Sequence, residues 1–183
     1  MNNSKIELSE QNFGYIFRQS DPTVSDIRYG VSRQKVKNVG CGIVAIYNVM
    51  LSLNKPQSFA EIAAEARKLR MPWLFGFFGT KPRSLGRYFD KMEIPYSRTD
   101  SAEEFCSGLE KCSAAIICTW NDRRSEGIHF YSIINDGGRL TSLNRFCNET
   151  KPSAFSPESV RGDRFITGYL LPQEGSAPIS TLE

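Results

Sequence analysis

This chain has a single histidine, no C-x-x-C pair and no long apolar run. One histidine cannot complete the usual zinc spacings, so no metal site is expected, and nothing in the sequence asks for an organic cofactor. The five cysteines, at 41, 106, 112, 118 and 147, are odd in number and include no close pair. Cys106, Cys112 and Cys118 are evenly spaced, but they fall on a predicted helix, its end and a following strand. The N-terminus has no basic stretch leading into an apolar one, so no secretory signal is expected. The cysteines therefore read as reduced thiols of a cytoplasmic protein. No window approaches the roughly 18 apolar residues of a membrane span. A net charge of +3 with no dense Lys/Arg run gives no reason to expect a nucleic-acid partner.

What is present fits an ordinary globular chain. Its 183 residues suit one domain, and apolar residues make up 40% of it against 23% charged. Residues 1–33 are polar with scattered aromatics (Phe13, Tyr15, Phe17, Tyr29) and are expected to wrap the core as short irregular pieces. A helical part follows over 34–112. Gly42–Leu53 is the most apolar helical stretch, a buried central helix. Ser58 with Glu61 is a capping box opening a helix over 59–69, with apolar residues at 59, 62, 63, 66 and 69. The Gly-, Pro- and aromatic-rich segment 71–82 reads as a loop, and Ser84–Met92 as a third helix. Ser101 with Glu104 forms a second capping box before a helix over 103–112.

The period then changes. Ala114–Trp120, His129–Asn135, Arg139–Asn144 and Phe165–Leu171 are strand candidates, placing an antiparallel sheet in 113–172 and a frayed tail at 173–183. Helices first and antiparallel strands afterwards indicate an α+β fold.

Two residues draw attention as chemistry. Cys41 lies in Asn-Val-Gly-Cys-Gly, immediately before the apolar helix. A thiol at a helix N-terminus feels the positive end of the macrodipole, which favours the thiolate, and its own amide can face an oxyanion. Gly40 and Gly42 beside it remove side chains where a substrate backbone would approach. His129 opens a strand in Glu-Gly-Ile-His-Phe-Tyr. If Asp136-Gly137 is a two-residue type I′ turn, the hairpin register sets His129 opposite Asn144, whose side-chain oxygen would fix the imidazole's tautomer. If Gly137-Gly138 is the turn instead, Phe146 faces His129.

Gln34, then NVGCGIVAIYNVM, GIHFYSII and LTSLN in that order, resemble papain-like cysteine peptidases. The likeness is strongest to the bacterial double-glycine leader peptidases of bacteriocin export and their stand-alone relatives, and it spans roughly residues 34–146. The resemblance implies a papain-like fold in which the central helix carrying Cys41 packs on the C-terminal antiparallel sheet. It implies Cys41 as nucleophile, His129 as base and later acid, and Asn144 as orienter, where the leader peptidases commonly have Asp. Gln34 would be the side-chain donor of the oxyanion hole. It lies one residue further from the cysteine than is usual, and Asn38 is the alternative donor. Those peptidases are usually fused to a membrane transporter, which this sequence lacks, so the resemblance is not carried as far as leader cleavage.

The implied reaction is acyl transfer through a Cys41 thioester, with a peptide or protein as substrate. The groove would involve Trp73–Gly79 and the loop from Trp120 to Gly127 that leads through Ile128 into His129. Core packing competes as an explanation of those aromatics. Two other readings share the fold: an acyltransferase of transglutaminase type or a deamidase, and a non-catalytic binding module.

Overall fold

The computed structural model describes residues 14–29, 34–74, 79–121, 127–162 and 164–172. In chain order these form α1 (Val36–Val39), α2 (Cys41–Ser52), α3 (Phe59–Lys68), α4 (Leu85–Lys91), β1 (Ser97–Thr99) and α5 (Ala102–Gly108). After them come β2 (Cys112–Trp120), β3 (Ile128–Asp136), β4 (Arg139–Leu143), β5 (Ser153–Ala154), α6 (Glu158–Gly162) and β6 (Arg164–Pro172). The strands make one antiparallel six-stranded sheet in the order β1-β6-β2-β3-β4-β5, so the last strand slots in beside β2.

Period-2 alternation gives the sheet two apolar faces. Ala114, Ile116 and Cys118 of β2, Phe130 and Ile134 of β3, and Tyr169 and Leu171 of β6 join the core made by α2, α3 and α4. Ala115, Ile117, Tyr131, Ile133 and Leu170 face the other way, onto Phe105, Leu109, Phe155 and Val160. This second layer, built from α5 and the segment around α6, has no counterpart in the sequence expectation of one helical part followed by a sheet. Tyr15, Ile16, Phe17, Val24 and Tyr29 are buried in the first core. Phe13 and the tail 173–183 lie outside the described residues.

The two capping boxes differ. Ser58 and Glu61 exchange both bonds. Ser101 accepts from the Glu104 amide, but the Glu104 carboxylate takes the Thr99 hydroxyl at 2.5 Å, so this box is half made. Its helix also ends early. Gly108 gives way to a 3-10 turn over Leu109–Lys111 and Cys112 already opens β2. A Cβ on Gly108 would lie 2.3 Å from Leu170, so close packing onto β6 sets this position.

The hairpin register departs from the first choice. Asp136 pairs with Arg139, and Gly137 and Gly138 form the turn with φ of +60° and +94°. A type I′ turn needs positive φ at both central residues, and Gly-Gly meets that without placing Asp136 there. Asn144 is therefore not opposite His129. The ladder stops at the Ser132–Leu143 pair, before the register reaches either His129 or Phe146.

Candidate active site

Cys41 is the first residue of α2, and Gly40 joins it to the short α1. Both glycines are demanded by packing. A Cβ on Gly40 would stand 2.7 Å from the Val36 carbonyl oxygen, and one on Gly42 would stand 2.5 Å from the Thr80 hydroxyl. The expectation that they clear space for a substrate backbone is thus corrected: protein already fills it. Thr80 in turn is hydrogen-bonded to the Tyr29 hydroxyl at 2.7 Å. The α1–α2 junction is therefore held between the segment around Ser25–Tyr29 and the loop around Thr80.

The Cys41 residue is 6% exposed. Backbone N–H groups of Phe130, Gly42 and Cys41 itself turn toward its thiol and favour the thiolate, yet burial outweighs them and pushes the pKa up to about 11. The helix-terminus effect expected from the sequence is present, but burial has the stronger influence. Through the Phe130 amide, the sulfur reaches β3 one residue from His129.

His129 sits near the start of β3, opposite Thr119 of β2. Its ring stacks on Tyr131, with centroids 6.3 Å apart. Its Nε2 lies 2.5 Å from the main-chain carbonyl oxygen of Asn144. A carbonyl has no proton, so Nε2 carries the hydrogen and Nδ1 is the basic nitrogen. Burial lowers the His129 pKa below its ordinary 6.5, while the Asn144 carbonyl works in the opposite sense. Burial thus drives both groups toward their neutral forms, and among the described residues no hydrogen bond joins the thiol to the ring.

Asn144 is brought to His129, but by its backbone. Its side chain is engaged elsewhere: Oδ1 accepts the Gln19 N–H at 3.0 Å, and Nδ2 donates to the Phe130 carbonyl at 3.2 Å. Nothing in the local sequence announces Gln19, which is 125 residues away. Gln34 and Asn38 are joined to each other, with Asn38 Nδ2 donating to Gln34 Oε1 at 3.3 Å. Gln34 is half-buried and Asn38 exposed; Gln34 lies just before α1 and Asn38 within it, ahead of the thiol.

Trp120 and Ile128 face each other across β2 and β3 at the same end of the sheet. Gly127 holds φ +80°, with nothing among the described residues within 4 Å of where a Cβ would stand, and Ile128 packs partly on the main core. Residues 122–126, and 75–78 of the Trp73–Gly79 segment, lie outside the described residues. Among the described residues the exposed large apolar side chains are Trp73, Leu74, Trp120 and Phe146. Trp120 and Phe146 belong to the segments that end beside His129 and Asn144. Trp73 and Leu74 belong to the loop whose Gly79 and Thr80 pack on Val39 and Gly42.

Among the described residues no three His, Cys, Asp or Glu side chains converge as a metal site, and no helix is long and apolar enough to cross a membrane. The described cysteines carry free thiols: Cys41, Cys112 and Cys118 are buried, Cys106 is half-buried and Cys147 is exposed.

No protein-family model matches the sequence, and no curated protein matches it. Among solved structures the chain is similar to the peptidase domain of Streptococcus ComA, a bifunctional ABC transporter involved in a quorum-sensing pathway. The likeness covers 80% of this chain and 100% of that one, with a TM-score of 0.53 and 15% identity. At this identity it establishes the fold.

Proposed function

We propose that this chain, which has the papain-like fold of a bacterial peptidase domain, is a thiol peptidase that cleaves a peptide or protein amide through a Cys41 thioester. The observation carrying this reading is the meeting of three features at one end of the sheet. A thiol opens the central helix, backbone N–H groups including that of Phe130 turn toward it, and His129, the residue before Phe130, has its Nε2 bonded to a carbonyl. That constellation is the nucleophile, oxyanion donors and oriented base of acyl transfer.

In this mechanism the resting pair is neutral thiol and neutral imidazole. As substrate enters, Nδ1 of His129 takes the Cys41 proton while sulfur attacks the carbonyl carbon. The contact tightens in the complex, as catalytic hydrogen bonds commonly do. The oxyanion meets the Cys41 amide and a side-chain donor. Gln34 and Asn38, which are bonded to each other just ahead of the thiol, are the candidates for that donor. His129 then protonates the leaving amine, and water resolves the thioester. The exposed Trp120, at the end of the strand that pairs with His129, and the exposed Phe146, two residues past Asn144, support a substrate with apolar side chains.

The test is hydrolysis of a mixed peptide library, with new N-termini read by mass spectrometry. The wild-type chain is expected to cleave and Cys41→Ala is expected to be silent. Turnover only with an added amine acceptor would instead identify a transferase, and cleavage surviving in Cys41→Ala would remove the thiol from the reaction.

A further inference from the structure

Asn144 has φ +61°, in the left-handed region. Asn54, Arg70 and Glu93 share that conformation, but they directly follow the C-caps of α2, α3 and α4, where it is commonplace. Asn144 ends a strand instead, and the twist is what turns its carbonyl from the ladder toward His129 Nε2. Something must hold that twist. Phe130 of β3 supplies one anchor, by accepting from Asn144 Nδ2, and the Gln19 main-chain N–H supplies the other, at Oδ1. Gln19 is itself tied down, its Nε2 donating to the Lys37 carbonyl at 2.9 Å in the helix that leads to Cys41. It thereby spans the nucleophile side and the base side of the site. Its Oε1 is buried with no hydrogen-bond partner among the described residues, an arrangement that folding alone disfavours.

We infer that Gln19 is a positioning residue for the base: its N–H locks the Asn144 side chain, and that lock aims the Asn144 carbonyl at His129. The N-terminal segment is then part of the catalytic apparatus. The alternative is that these bonds only fasten the segment to the sheet. This inference rests on His129 being the base, but its test reads the ring directly.

Because the chain has a single histidine, ring nitrogen spectra of protein labelled with nitrogen-15 histidine report on His129 without assignment. The wild type is expected to show the Nε2–H tautomer, with a downfield and slowly exchanging Hε2. Gln19→Pro removes the donor, and Asn144→Gly keeps the carbonyl and suits the positive φ while deleting the lock. Both are expected to lose Hε2 protection by about tenfold or more and to show a mixture of neutral tautomers. Gln19→Ala keeps the N–H but gives up the tie to Lys37, and is expected to lose less protection than Gln19→Pro does. Should Gln19→Pro fail to fold, Asn144→Gly decides alone. A protected Nε2–H in the folded Asn144→Gly variant overturns the inference, as does an Nδ1–H tautomer in the wild type. A wild type with the expected spectrum that cleaves no peptide defeats the peptidase reading and leaves this one standing.

Discussion

The two sides of the site are built by different means. Cys41 is placed chiefly by its neighbours in sequence, α1 before it, α2 after it and Gly40 against Val36, with Gly42 fitted against Thr80 of a distant loop. His129 is placed by partners far along the chain. Its strand pairs with β2, its Nε2 bond comes from the first residue past β4, and that residue is clamped by Gln19. A nucleophile at a helix terminus is a local construction, whereas an oriented base at a sheet's end depends on where the next strand stops.

The largest expected effect tests whether both sides belong to one reaction. Cys41→Ser and His129→Ala should each lower peptide hydrolysis by about 10³-fold or more, and the double variant should lose little further, since residues acting as a unit are not additive. Independent, additive losses in steady-state kinetics would separate the two sides. Next comes the local side alone. Gly42→Ala drives a methyl into the Thr80 hydroxyl and Cβ and should cost about 1–3 kcal/mol in urea unfolding. A neutral Gly42→Ala would mean that the α2 terminus has slack.

On the long-range side, buried Glu149 accepts the Arg145 N–H and the Ser153 hydroxyl, each at 2.7 Å, and so fastens the chain just past Asn144. Glu149→Ala leaves both donors without that partner and should cost about 1–3 kcal/mol. It should also lower kcat more than it raises KM; an unchanged kcat would disconnect this loop from the base.

The smallest effect is on pH. Folding favours neutral His129, so its contribution to stability is fully present above the ordinary 6.5 and is lost as pH falls through the lower folded value. The difference in melting temperature between wild type and His129→Asn should therefore shift against the wild type below about pH 6.5. A flat difference curve would place the imidazole in solvent.

The same contrast governs what the sequence revealed. Helices α2, α3 and α4 and the four long strands carry clear periodicity and were legible, as were Cys41, His129 and Asn144 as candidates. The pieces that escaped, α1, β1, β5 and α6, are five residues or shorter and exist through their contacts. The hairpin register turned on one dipeptide, and Gly-Gly took the turn because both positions demand positive φ. The sequence pointed to the Asn144 side chain as orienter, but the structure offers its carbonyl. Gln19 could not be seen in advance, since its bond spans 125 residues and uses a main-chain N–H that every residue but proline possesses.

Simple alkylation is a poor guide to the nucleophile, because Cys147 is exposed whereas Cys41 is buried with its pKa pushed up to about 11. The decisive measurement is acylation by substrate. A library-derived peptide substrate, converted to a slowly released activated ester, is mixed with the protein, quenched in acid and mapped by mass spectrometry. The expected result is one acyl group per chain, on Cys41, which no longer forms in His129→Ala. Acyl groups on Cys147 instead, or none at all with a cleavable peptide, would contradict a Cys41–His129 acyl-transfer site.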